Sequence, residues 1–484
     1  MYNVFEKTIT QLQKDMSDGV TTSEEITRAY LQRIRDLDQD GMMLKSVLEI
    51  NADALEIAKA ADRERKQKGS RSMLHGIPIL VKDNISTHDK MHTSAGSEAL
   101  QNNFAKDDAF VIKQLRKSGA VLLGKTNLSE FARFMNTEIP NGYSSRGGQT
   151  KSPFGENVDP LGSSTGSGVA CAMSFCGAAV GTETSGSVIS PASANSITGM
   201  KPTVGLVSRS GIIPINSQDT AGPMGRTVMD TAILLNAMTG EDERDPATMF
   251  TSALIPDDYS KDLDKDCLQG KRIGICIPEK AWYTEDQIEA FKDALKYLEQ
   301  AGAVLVEGCT MRNVSSDAGK LARPVLLNEF KQYMNAYLSE YCSDPEIRTM
   351  ADIIRYNREH SDTALKYGQD ILEAGDALSG TLTEKEYLSD KLTAPYEAKE
   401  IIDGLMKEHH LDAIVCPGAS AIPPLCGYPI LTVPAGCGKD GKPIGLSFIA
   451  EAFSEHKLLK FAYAFEQESL LRMIPAGHGK TEVN

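Results

Sequence analysis

The chain has 484 residues, 41% of them hydrophobic and 24% charged, with a formal net charge of -15. That length is enough for a large core and more than one domain in principle, and the composition is that of a globular protein. The acidic balance argues against a nucleic-acid-binding surface, which needs clustered Lys and Arg, and nine scattered cysteines without CxxC or zinc-finger spacing argue for buried free thiols in a reducing compartment.

From the start, MYNVFEKTITQLQKD lacks the basic and apolar segments of a signal peptide. No apolar stretch is long enough to cross a bilayer, so a cytoplasmic chain without membrane contact is expected. Residues 1–70 read as a helical layer packed on the core. Thr22-x-x-Glu25 has the form of a capping box, followed by Ile26, Ala29, Tyr30 and Ile34 on one face. A second helix is expected over about 51–68, with Ala54, Leu55 and Ala58 on one side.

Residues 71–484 read as one large domain, with a core at about 71–240, helical outer parts at about 241–410 and closing strands and a helix at about 411–484. Ile77 to Val81 is a short apolar strand that enters through Gly76 and ends at Lys82-Asp83-Asn84. A helix at about 108–117 leads through Ser118-Gly119 into the strand AVLLG. This strand–helix–strand alternation predicts an α/β architecture with a largely parallel sheet. Residues 136–162 form a loop long enough to be functional.

The stretch Asp159 to Thr203 is rich in Gly, Ser, Thr and Ala and almost free of charge. A flexible linker would share that composition, but Val169, Ala170, Cys171, Ala172, Met173, Phe175, Ala178 and Val180 make an apolar run suited to burial. Beyond an acidic loop, GEDERDP, come the strand KRIGICI, the helix TEDQIEAFKDALKYLEQAG and helical stretches at 362–376 and 383–409. LDAIVCP and PILTVPAG read as two further core strands. GLSFIAE and the helix SEHKLLKFAYAFEQE close the chain.

GIPILVKDN at 76–84, GSSTGSG, GTETSGSVISP and GMKPTVGLVSRSG occur in an order that resembles the amidase signature family. The resemblance is strongest over about 70–230 and 411–465. It implies an α/β fold with a mixed, mostly parallel central β-sheet covered by helices on both faces. It also implies a catalytic Ser, cis-peptide Ser and Lys, with no metal and no organic cofactor. Carried over by motif, the nucleophile is Ser187, the bridging serine is Ser163 and the base is Lys82. The small-residue turn Thr184, Ser185, Gly186 and Ser187 would offer backbone N–H groups as an oxyanion hole.

The chemistry is coherent with those residue types. An amide is a poor electrophile with a poor leaving group, so its hydrolysis needs an activated nucleophile, oxyanion stabilisation and a proton for the departing nitrogen. A free lysine titrates near 10.4, and burial lowers that by up to about 3–5 units, so the apolar strand leading into Lys82 suits a base.

Three positions depart from the commonest family pattern: Glu183 replaces Asp, Ser185 replaces Gly, and Ser187-Val188-Ile189 lacks the usual Arg. GYSSRGGQT and TETxGSVxxP are more similar to the peptide-amidase branch than to the glutamyl-tRNA amidotransferase branch. The expected activity is hydrolysis of a carboxamide, either a peptide C-terminal amide or a small aliphatic or aromatic amide, to carboxylate and ammonia through a Ser187 acyl-enzyme. The alternative is a glutaminase-type A subunit of a tRNA-dependent amidotransferase, and a silent scaffold is a third reading. Residues 129–136 and 142–150 are candidates for lining the pocket.

Rival motifs are weaker. Gly119 to Thr126 matches the Walker A pattern, but its variable positions AVLL are themselves a strand rather than a phosphate loop. Gly162 to Gly166 matches GxSxG around Ser164, but the preceding GENVDPL is a poor strand, and His409, His410 and His456 lie in polar helical settings. Ser454-x-x-Lys457 lies in an amphipathic helix and lacks a KTG partner. His75, beside the strand to Lys82, is read as a structural hydrogen-bonding residue.

Overall fold

Strand positions follow the apolar runs of the sequence. In chain order they are β1 (Val47–Ile50), β2 (Pro78–Lys82), β3 (Val121–Thr126), β4 (Tyr143–Ser144), β5 (Gly148–Gln149), β6 (Ala178–Glu183), β7 (Thr198–Lys201), β8 (Thr220–Gly225), β9 (Arg272–Ile275), β10 (Val304–Val306), β11 (Ala413–Pro417), β12 (Ile430–Cys437) and β13 (Pro443–Ile449). The computed structural model describes residues 2–213, 217–249, 251–278, 283–311 and 316–476.

Eleven of these strands make one sheet in the order β1-β3-β2-β6-β8-β7-β12-β13-β11-β9-β10, while β4 and β5 form a separate small hairpin. The sheet is mixed, as the resemblance implies. Parallel pairing is confined to β3-β2-β6 on one flank and β11-β9-β10 on the other. The centre, β6-β8-β7-β12-β13-β11, is antiparallel throughout, so the parallel share is smaller than the alternation of elements suggests.

β2, β3 and β6 are buried along their whole length. This is the expected consequence of near-continuous apolar strands covered on both faces. The covering helices include Ser23–Arg33, Phe110–Ser118, Thr165–Ala172, Val228–Met238 and Glu455–Ser469. The capping box at Thr22 is realised: its hydroxyl accepts from the Glu25 amide and Glu25 accepts from the Thr22 amide. A second core forms where Phe131, Met135 and Ile139 meet Phe330, Met334 and Ile353, which fastens the outer helices to the loop region after β3.

Two local expectations are corrected. The N-terminal 70 residues are not purely helical, because Val47–Ile50 pairs antiparallel with β3 as an edge strand. The stretch 362–376 is not one helix: Gly368, at φ +84°, separates Ser361–Ala364 from Asp370–Asp376, a left-handed conformation that glycine tolerates. All nine cysteines are free. Among the described residues no helix is long and apolar enough to cross a membrane.

Candidate active site

The candidate site lies where β2 and β6 end side by side. Val81 pairs with Val180, which brings Lys82, the last residue of β2, against the end of β6. Lys82 is fully buried. Its Nζ donates to Ser163 Oγ at 2.8 Å, to Thr182 Oγ1 at 2.9 Å and to the Thr182 carbonyl at 3.3 Å. No carboxylate is bonded to it among the described residues. Burial pushes the Lys82 ammonium down to about 7, opposed by the negative charges of Asp219 and Glu183. Asn84 Nδ2 also donates to Thr182 Oγ1, at 3.0 Å, so one threonine hydroxyl orients both side chains.

Ser163 follows a cis peptide bond from Gly162. Its carbonyl accepts from the Ser129 amide at 3.1 Å. A Cβ on Gly162 would lie 2.7 Å from Ser129 Oγ and 3.1 Å from Asn141 Oδ1, so a side chain there would have to displace Ser129 Oγ. Next along the chain, Ser164 Oγ donates to the Thr182 carbonyl at 3.0 Å and accepts from the Thr182 amide at 3.1 Å. Ser164 is thus committed to holding β6 rather than standing at the head of a nucleophile elbow. Its amide donates to the Ser187 carbonyl at 3.1 Å, tying the Ser163 loop to the Ser187 turn.

Ser187 lies in the turn after β6. Gly186 takes φ +91°, and the Ser190 amide closes the turn onto the Gly186 carbonyl at 2.8 Å. Glu183 Oε2 accepts from the amides of Val188 and Ile189 at 2.7 and 3.0 Å. The amides of Thr184, Ser185, Gly186 and Ser187 make no hydrogen bond to another group among the described residues. The Ser187 hydroxyl likewise has no hydrogen-bond partner among the described residues, and the residue is 9% exposed. The structure thus brings Lys82 and Ser163 into direct contact and joins Ser187 to them through backbone.

Three contributors escape sequence reasoning: Thr182, Asn84 and Asp219. Thr182 alone leaves a signal, as a hydroxyl two residues before Thr184 on a strand of period two. Residues 129–136 and 142–150 stand behind Ser163: Ser129 holds the Ser163 carbonyl, the Gly142 amide donates to Ser129 Oγ at 2.9 Å, and Phe131 and Met135 are buried in the second core. Lys125 is buried rather than available to a phosphate, and its Nζ donates to the Ile85 carbonyl at 2.7 Å and to Thr93 Oγ1 at 3.0 Å. His75 accepts from the Arg71 amide at 3.0 Å and bonds the Ala61 carbonyl at 2.9 Å through its other ring nitrogen, a structural role.

Known proteins resemble this chain over most of its length. A family model described as "Amidase" matches residues 25–429. A "probable amidase" of Arabidopsis thaliana is 40% identical over 491 residues, covering 98% of this chain and 92% of its own. The crystal structure of native peptide amidase from Stenotrophomonas maltophilia superposes with a TM-score of 0.90 at 42% identity, covering 97% of this chain and 98% of that one. The glutamyl-tRNA(Gln) amidotransferase A-type chain of Chromohalobacter salexigens is 33% identical over 501 residues, covering 96% of each chain. Matched over most of its length by the family model and nearly end to end by these relatives, the chain belongs to the amidase family and is an amide-hydrolysing enzyme.

Proposed function

We propose that the chain is a free-standing amidase that converts a carboxamide, with a peptide C-terminal amide as the preferred class, to carboxylate and ammonia through an acyl-enzyme on Ser187. The observation that carries this reading is the direct bond from buried Lys82 Nζ to Ser163 Oγ. Neutral Lys82 takes the proton of Ser163, Ser163 takes the proton of Ser187, and Ser187 Oγ attacks the carbonyl carbon. The turn amides of Thr184 to Ser187 stabilise the oxyanion, each well-placed donor contributing about 2.7–4 kcal/mol. The relay then runs in reverse to deliver a proton to the leaving nitrogen as the C–N bond breaks. Water, deprotonated by the same relay, releases the acid and restores Ser187.

The low-dielectric setting of Lys82 supports a base that is neutral near physiological pH, where general-base catalysis is most effective. The preference for peptide amides rests on the 42% identity to the Stenotrophomonas enzyme over nearly the whole chain. The rival reading, as the glutaminase component of an amidotransferase, draws on the 33% identity to the Chromohalobacter protein.

Ammonia release by the purified chain alone separates the two readings, with glutamine, simple amides and peptide amides as the panel. Release from peptide or simple amides supports the free-standing amidase. Activity with glutamine alone, appearing only when the other components of an amidotransferase are added, would replace it with the rival reading.

A further inference from the structure

Beyond Lys82 and the two serines, two carboxylates, Glu183 and Asp219, stand next to the site with no cation bonded to them among the described residues. Asp219 precedes β8, whose first residue Thr220 pairs with Glu183 at the end of β6. It is 5% exposed. Its Oδ1 accepts from the Thr184 hydroxyl, which is its carboxylate's sole hydrogen bond among the described residues. Thr182 and Thr184 are two residues apart along β6 and its extension, about 6.6 Å at the strand rise, and on the same face. One receives Lys82 Nζ and the other donates to Asp219. The hydroxyls of Ser163, Thr182 and Thr184 thus make a row, the first two bonded to Lys82 and the third to Asp219.

The other charged groups around this row have partners of their own, although Glu183 Oε1 has none among the described residues. Glu183 accepts from the amides of Val188 and Ile189. Arg209 is bonded to Asp245, from Nη2 to Oδ1 at 2.5 Å and from Nε to Oδ2 at 2.9 Å. Glu329 accepts from Tyr387 and Lys391 at 2.9 Å each and from the Ser217 amide at 2.7 Å. Asp219 is therefore a buried acid on this face to which no cation and no backbone amide is bonded among the described residues, and Arg209 and Lys82 answer its charge through space.

We propose that Asp219 is a positioning residue of the active site, holding the Ser187 turn through the Thr184 hydroxyl and setting the proton affinity of Lys82 through its charge. The proposal rests on the reading of Lys82 as the base. Burial pushes the Asp219 carboxyl up to about 7, with Thr184, Arg209 and Lys82 opposing, so its charge is gained in the same range in which Lys82 loses its proton. An anion there favours the ammonium form of Lys82, and removing it makes the neutral amine available at lower pH.

The test is the pH profile of ammonia release by the full chain with a peptide amide. Asp219→Asn keeps an acceptor for Thr184 and deletes the charge. The acid limb of its kcat/KM profile moves about one pH unit lower, with KM at pH 8 unchanged. Thr184→Val unties the carboxylate and lowers kcat about tenfold, the loss expected for a hydrogen bond to a charged group. An Asp219→Asn limb that superimposes on the wild-type limb, or a Thr184→Val enzyme that turns over at the wild-type rate, overturns the proposal. Lys82→Met keeps the two failures apart. If it retains activity, the base assignment itself fails; if it is inactive while the Asp219→Asn limb stays in place, only the role of Asp219 fails.

Discussion

Lys82 Nζ and Ser163 Oγ are 2.8 Å apart at the end of β2, with both side chains fully buried. A charged lysine costs free energy in such a setting unless a counter-ion is bonded to it, and here its partners are hydroxyl and carbonyl oxygens. The arrangement therefore suits an amine that exchanges a proton with Ser163.

Removal of that amine has a defined consequence. Lys82→Met lowers kcat/KM for ammonia release by about 10²–10⁴, the range of a lost general base. Lys82→Arg gives no rescue, because a guanidinium is not deprotonated in proteins. Steady-state ammonia assays on both variants check this.

The pH dependence has a fixed sign. With the ammonium held down to about 7 by burial, the active neutral form is lost as pH falls through that value. The acid limb of kcat/KM is expected near pH 7, with activity high at pH 8 and roughly tenfold lower at pH 6. A profile flat from pH 5 to pH 9 contradicts a base of this kind.

Glu183 controls the turn from beneath. Truncation to Ala leaves the Val188 and Ile189 amides without their carboxylate acceptor, at a cost of about 2–3 kcal/mol for bonds to a charged group. Glu183→Ala therefore lowers both the unfolding free energy, read by urea denaturation, and kcat. Glu183→Asp, one methylene shorter, is expected to lie between the two.

Gly166 marks where the helix after Ser163 presses on the loops. A Cβ there would lie 2.4 Å from the carbonyl oxygens of both Asn127 and Ser46, and backbone cannot step aside as a flexible side chain would. Gly166→Ala is expected to destabilise the protein by about 1–3 kcal/mol or more, read as a lower urea midpoint.

Much of this was legible in the sequence where apolar runs are bounded by glycine or polar residues. The strand into Lys82, the strand AVLLG and the closing strands β11 to β13 are each announced by their own residues, as is the cap at Thr22. The order of the motifs led to Lys82, Ser163 and Ser187, which the fold gathers at one sheet end. Pairings between distant segments were not legible. The four-residue strand at Val47 is stabilised by β3 rather than by its own propensity. The meeting of Thr184 with Asp219 depends on antiparallel β6–β8 pairing, which the strand–helix alternation does not reveal. Glu183 was visible as a departure from the family pattern, but its bonds to Val188 and Ile189 exist only once the turn has folded back.

Covalent labelling with a fluorophosphonate, which reacts with activated serines, tests whether Ser187 carries the attacking oxygen. The intact mass should rise by one phosphonyl group, and fragmentation of the tryptic peptide 152–209 should assign that group to Ser187. Ser187→Ala should take up none, and Lys82→Met should react far more slowly. Labelling on Ser163, or labelling that persists in Ser187→Ala, would rule out Ser187 as the nucleophile.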